Sequence, residues 1–540
     1  MKNKISKHLS LNWTWALGYF VLLGLISIRI GQDTNYDLRN YHFYNPYSFI
    51  NGRLEYDVMA ANEQSFFNPL IDIPFFIAVY YLNVSPILIV FILGGIHGIN
   101  TWLIHNLVYF SLKNIANLYR KVLSSLAALT SVFGAGYLSE LGATMNDNII
   151  SIFVLTSLLI LSYSFSQNKI LKWQNILLSG FILGCGVGLK LTAAIYAVAL
   201  AVGILFIGNN IREKFLNTLI ISTGILCGFF FSAGYWIIQM WRNFSSPLFP
   251  FYNDIFHSPY ARFERYKDGR FSPQDIWQHF LYPFYFIRRK YSHLVAEVDF
   301  SDTRLAIVYI IIVIFIVFFI FNFIRSRKTS FILVNLDFMY VLLPFFIISY
   351  ILWQETFSIY RYAIPLELLS PVLVISLLGY ILPSPKSLLW ICLTIFTIMI
   401  LTVKPLNWGR IHKISSTYFG IEKQSLLKYN NSIILTSYGP NSFVIPYFPS
   451  NSKFIGISNY IPKEGLFKNT LLEKKIKNIL QNPKNNNIYL LYLLGNYENK
   501  NQNSEKEFLK NYNLEINYKD CNILKTYVDR FNICKIKRID

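Results

Sequence analysis

LAIVYIIIVIFIVFFIFNFI, residues 305–324, runs for twenty positions without a charged side chain. A helix rises about 1.5 Å per residue, so such a run matches the ~30 Å hydrocarbon core of a bilayer. Arg325, Arg327 and Lys328 follow it at once, the kind of basic flank that marks a cytoplasmic loop. Working outward with the same rule, we expect spans near 13–30, 85–110, 122–138, 146–166, 174–189, 191–208, 215–240, 305–324, 331–352, 363–382 and 387–403, about eleven in all. Lys190 interrupts the stretch 174–208. The first block starts on Lys2, Lys4 and Lys7 and has no small-residue cleavage site after it, so it reads as an uncleaved anchor.

Composition agrees. Hydrophobic residues make up 54% of the chain and charged residues only 14%, against roughly 25% charged in an average soluble domain. The mean hydropathy is +0.38. The apolar blocks end near Val403, and a polar tail rich in Asn and Lys follows. The reading is therefore a helical polytopic membrane domain, 1–404, and a small soluble α/β domain, 405–540. The net charge of +20 does not point to nucleic acid, because many of the basic residues sit in short loops between apolar blocks, as topology signals do. Membrane lipids are the natural partners of the rest.

Alternate short loops carry Lys113, Arg120 and Lys121; Lys169 and Lys172; Arg212 and Lys214; Arg325, Arg327 and Lys328; and Lys386. The opposite loops carry Glu140, Asp147 and Glu355, with Arg361 as the basic exception. The positive-inside rule then puts the N-terminus in the cytoplasm, and an odd span count puts the tail and the long loops 31–84 and 241–304 outside. In the tail, 432–437, 453–457 and 487–493 read as strands, and 471–480 and 504–512 as helices. Cys185, Cys227 and Cys392 fall inside apolar blocks and read as small core residues. Cys521 and Cys534 either pair across a hairpin or remain free thiols.

The loop after the first span reads Gly31-Gln32-Asp33-Thr34-Asn35-Tyr36-Asp37-Leu38-Arg39-Asn40-Tyr41-His42. If it is helical, Asp33, Tyr36, Asp37, Asn40, Tyr41 and Tyr44 share one face. A carboxylate at the water–membrane boundary is a candidate general base for a hydroxyl; the plainer alternative is a solvated loop with capping side chains. Asp147 and Glu140 form a second acidic cluster on the same side, for which helix capping is the plain role. Lys190 either meets a lipid phosphate or snorkels. Arg361, between Tyr360 and Tyr362, has the planar fork that suits phosphate; pairing with Glu355 or Glu367 is the alternative. The loop 241–304, with Arg242, His257, Arg262, Arg265, Arg288 and Arg289 among aromatics, reads as a headgroup-level amphipathic segment. Gly180, Gly184 and Gly188 recur every fourth residue, a spacing that suits close helix packing.

Taken in order, these motifs resemble the GT-C superfamily of polytopic glycosyltransferases, over roughly residues 10–405. The resemblance rests on the aspartate-bearing first loop, Asn68-Pro69-Leu70, the acidic loop at Asp147, Gly188-Leu189-Lys190-Leu191-Thr192, the 243–253 segment with Pro247 and Pro250, and Tyr360-Arg361-Tyr362 before Pro365. It implies a polyprenyl-phosphate-sugar donor and an envelope glycan, lipid or protein acceptor, joined with inversion on the extracytoplasmic face of the inner membrane. It also implies a catalytic base in the first loop, Asp37 ahead of Asp33, with Asp147 and Glu140 orienting the acceptor or a divalent metal. Lys190, Arg361, Tyr360 and Tyr362 would surround the lipid phosphate. The chain departs from the commonest Asp-Glu pair, since Leu38 follows Asp37, so the need for a metal stays open. A flippase or transporter of lipid-linked saccharides is the competing class. Such a protein places ionisable groups near the midplane and often repeats itself, whereas these charges gather at one face and the halves of the chain do not echo each other.

Overall fold

The computed structural model describes residues 2–167, 171–264, 268–325, 332–437, 439–457, 465–483, 486–494 and 505–539. Lys169, Arg265, Arg327 and Lys328 lie outside these, as does Ser504. The chain divides into two compact units, one of 1–29, 91–233 and 268–408, the other of 30–90, 234–267 and 409–540.

The first unit is helical. The helices that lie wholly or mostly in it include α1 (Lys2–Ile30), α2 (Pro86–Ser111), α3 (Asn117–Val132), α4 (Ala135–Ser139), α5 (Asp147–Ser166), α6 (Trp173–Leu189), α7 (Ala194–Gly203), α8 (Ile211–Phe244), α9 (Arg304–Ile324), α10 (Leu336–Thr356), α11 (Ile364–Ile381) and α12 (Pro385–Leu401). Helix occupies the core of each of the eleven expected segments. Among the described residues seven helices are long and apolar enough to cross a membrane: Trp13–Ile30, Pro86–Ser111, Asp147–Ser166, Ile211–Phe244, Arg304–Ile324, Leu336–Thr356 and Tyr360–Ile381. The chain is therefore a helical membrane protein. Three further apolar helices, Trp173–Leu189, Leu191–Phe206 and Pro385–Leu401, are shorter. The expected segment 122–138 is not one helix: α3 stops at Val132 and the chain turns through Gly134 into α4.

α11 is the most enclosed of these helices, with 89% of its window buried, and it packs against α3, α5, α9, α10 and α12. The glycine repeat of α6 lies against α8 at backbone contact. A Cβ on Gly184 would stand 2.1 Å from the Ile225 carbonyl oxygen, and one on Gly228 would stand 2.0 Å from that of Phe181. Small residues on both helices let the two backbones meet, as the four-residue spacing predicts. Cys185 and Cys392 are buried, but Cys227 is exposed, so it is not a core residue.

The second unit holds a five-stranded sheet in the order β4-β3-β5-β7-β6, with β3 (Ile433–Thr436), β4 (Lys453–Gly456), β5 (Ile488–Leu493), β6 (Leu514–Lys525) and β7 (Arg530–Arg538). β3 pairs in parallel with β4 and β5, while β7 runs antiparallel to β5 and β6. Alternate residues Ile433, Leu435, Ile455, Ile488, Leu490, Cys534 and Ile536 enter one core, the period-two signature of a strand. α13 (Leu471–Gln481) buries Leu472, Ile476 and Leu480, spaced by four, in that core. Cys521 and Cys534 form a disulfide across β6 and β7.

The segment 30–90 belongs to the same unit. β1 (Gln32–Asp33) pairs with β2 (Arg410–Ile411), Val58 bonds to both sides of the outer edge of β4, and Val58, Met59 and Phe66 join the core. Arg53 stitches this segment down. It is 4% exposed and grips both oxygens of Asp57 at 2.7 and 2.8 Å. Its remaining donors reach the carbonyls of Ser450 and Ser452, each at 2.6 Å.

Candidate functional site

Four of the singled-out charges meet in the first unit, each at a helix end. Asp147 opens α5 after Asn146, whose φ of 70° turns the chain into the helix. An acid suits that first turn and a cation suits the end of α6, where Lys190 sits. The backbone at Lys190 is extended, so the apolar run breaks there. Its ammonium turns inward and donates to Asp147 Oδ1 at 2.6 Å and to the Met145 carbonyl at 2.9 Å. Two of its three N–H groups are thereby used. Lys190 Nζ is 5.2 Å, and Arg361 Cζ 5.1 Å, from the centre of the Tyr362 ring, a cation–π distance in each case. The Tyr362 carbonyl in turn accepts from the Tyr196 hydroxyl at 2.5 Å.

Glu140 completes the cluster. It is 1% exposed, and among the described residues no N–H or O–H group donates to either carboxyl oxygen. Burial and then the Asp147 carboxylate push its proton affinity well above the usual glutamate range, with Lys190 and Arg361 pulling the other way. The acids that hold α4 are supplied with donors. Glu367 accepts from the Gly136 and Tyr137 amides at 2.9 and 2.8 Å and from the Tyr360 hydroxyl at 2.7 Å. Asp302 accepts from the Ala135 amide at 3.0 Å and pairs with the buried Arg304. These bonds hold α4 and so the position of Glu140. Tyr360 thus serves the network: its ring lies 4.2 Å from that of Phe300, and it is not grouped with Tyr362. Glu355 sits on His279 at 3.0 Å.

The two first-loop aspartates lie in the second unit. They do not share a helix face: Asp33 is in β1, and regular helix gives way to a π-helical turn over Leu38–His42. Asp33 is consumed locally, accepting from the Asn35 amide at 3.0 Å and from its side chain at 2.8 Å. Asp37 accepts from the Tyr41 hydroxyl at 3.2 Å. Beside them is a pair that the sequence reading missed. His42 Nδ1 lies 2.8 Å from Asp72 Oδ2, with the side chains 3% and 6% exposed, and the His42 ring is 4.1 Å from that of Tyr41. A histidine beside an acidic run was the available signal, but the thirty residues to its partner hid the pair.

Among the described residues no group of three or more His, Cys, Asp or Glu side chains converges to hold a metal ion, and Asp147 already carries an ammonium on one oxygen. The fold and site define a polytopic helical membrane protein with a small sheet domain and a buried acid–base cluster at helix ends. No family model matches the chain, and no curated protein matches it.

Proposed function

We propose that this protein is a GT-C-type membrane glycosyltransferase of the inner membrane, with eleven spans, a cytoplasmic N-terminus and an extracytoplasmic tail. It moves a sugar from a polyprenyl-phosphate donor to an envelope glycan, lipid or protein. The observation that carries this reading is the convergence of Lys190 and Arg361 on Tyr362, from segments far apart in sequence, beside the buried carboxyls of Asp147 and Glu140. A lipid phosphate needs charge-assisted donors held in place before it arrives. Asp147 holds Lys190, and Tyr362 holds both cations. The disulfide Cys521–Cys534 fits an oxidising compartment for the tail.

In the reaction an acceptor hydroxyl attacks the anomeric carbon. The new carbon–oxygen bond forms as the bond to the phosphate oxygen breaks, with inversion. The lipid phosphate departs with the electron pair, steadied by Lys190 and Arg361. A general base takes the hydroxyl proton, and Asp37 is the candidate that the first-loop resemblance offers. Its bond from Tyr41 orients it, while the local bonds of Asp33 leave that residue a turn-forming role. The test is transfer from a panel of polyprenyl-phosphate sugars by the purified chain. Lys190→Met and Arg361→Ala should each raise the concentration of farnesyl phosphate needed to inhibit turnover. Unchanged inhibition by farnesyl phosphate in both variants would remove the phosphate assignment.

A further inference from the structure

We propose that Glu140, together with Asp147 Oδ2, is the hydroxyl-binding part of this site and receives a pair of hydroxyls of the sugar that is transferred. The contrast with its neighbours carries the argument. Glu367, equally buried, has three donors, and Asp302 has a backbone amide and a guanidinium. Acids that serve the fold here are fully supplied. Glu140 is as deeply buried, yet neither of its oxygens receives a donor from the described chain, and neither does Asp147 Oδ2. Asp147 is its acidic neighbour, and Glu140, which holds its proton tightly, can share that proton with it. One proton shared between the two acids still leaves buried carboxyl oxygens without a donor, and these are completed by a donor from outside.

The part of the ligand at Glu140 must therefore bring O–H groups and little charge of its own, since Glu140 is held protonated and Asp147 is already paired with Lys190. A saccharide meets that demand. Exposure rises from Glu140 (1%) through the Asp147 side chain (4%) to that of Lys190 (15%). A ligand with an anionic end at Lys190 thus sends its neutral end towards Glu140. Choosing the donor sugar over another polyol rests on the glycosyl-transfer reading; the hydroxyl site itself does not.

The experiment measures binding of farnesyl-phosphate-linked glucose, galactose, mannose and arabinose, their monodeoxy analogues, and farnesyl phosphate alone. The full-length wild type is compared with Glu140→Gln and Glu140→Ala. In the wild type, loss of one particular hydroxyl should weaken binding about ten- to a hundredfold, the usual worth of a hydrogen bond to a charged group. In Glu140→Ala the parent and that deoxy sugar should bind alike, while farnesyl phosphate binds both proteins equally. Retained farnesyl phosphate binding by Glu140→Gln certifies that the site is folded. A flat deoxy series in the wild type overturns the proposal, as does an equal loss of farnesyl phosphate and sugar phosphate in Glu140→Ala. Turnover is followed in the same preparations. Selective binding without turnover supports the hydroxyl site and defeats glycosyl transfer, whereas turnover with a flat deoxy series does the reverse.

Discussion

Replacing Arg53 by alanine should open the second unit. The guanidinium makes four short hydrogen bonds, two to Asp57 and two to the carbonyls of Ser450 and Ser452. Without it Asp57, 3% exposed, keeps only the Tyr44 hydroxyl at 3.0 Å and the Phe454 amide at 2.9 Å. Breaking a buried ion pair from one side costs about 3–5 kcal/mol, roughly 10²- to 10⁴-fold in the opening equilibrium. The cost also depends on pH. Burial raises the affinity of Asp57 for its proton, and Arg53 is the main force opposing that; its removal lets the affinity rise further. A carboxyl that binds its proton more tightly folded than unfolded loses stability as pH climbs from its unfolded value through its folded one. The deficit of Arg53→Ala should therefore be smaller near pH 5 than near pH 8. Limited proteolysis of the full-length protein, followed by cleavage within 31–84, reads this opening. Equal cleavage of variant and wild type, or a deficit that grows on acidification, would refute the reasoning.

Gly184→Leu should separate α6 from α8, because its Cβ would lie 2.1 Å from the Ile225 carbonyl oxygen. A loss of at least about 1–3 kcal/mol follows from such overpacking. It should appear as a lower melting temperature, while Gly18→Ala, with nothing within 4 Å of its Cβ, should melt as wild type. Glu140 holds its proton more tightly folded than unfolded, so the wild type should lose stability as pH rises above the ordinary glutamate range. Glu140→Gln should flatten that slope in melts across pH, and an unchanged slope would contradict the assignment. Removing both Cys521 and Cys534, thirteen residues apart, should cost about 3 kcal/mol by loop entropy. Denaturant unfolding checks this, and equal stability would contradict it.

What sequence reveals here depends on how local the signal is. Spans announce themselves because twenty apolar residues have one economical use. Strands β3, β4 and β5 were legible because runs such as Ile433-Ile434-Leu435 are buried on both faces. β6 and β7 escaped notice because β6 is largely exposed and mixes Lys, Asp and Asn with its apolar residues. The common sidedness of Asp147 and Lys190 was readable, but their 2.6 Å contact was not. The helical face drawn through Asp33 and Asp37 failed because β2, more than 370 residues away, claims Asp33 for a strand. Sequence analysis did not single out Arg53 and Asp57, and only the fold reveals them as a stitch.

The most direct test of the central claim is transfer of a labelled sugar from a polyprenyl-phosphate donor by the purified full-length protein, wild type against Asp37→Asn. The account predicts turnover with inversion in the wild type and its loss in Asp37→Asn, with melting behaviour unchanged. Absence of turnover across a broad donor panel, with lipid-linked saccharide still translocated in vesicles, would contradict it and make the protein a transporter.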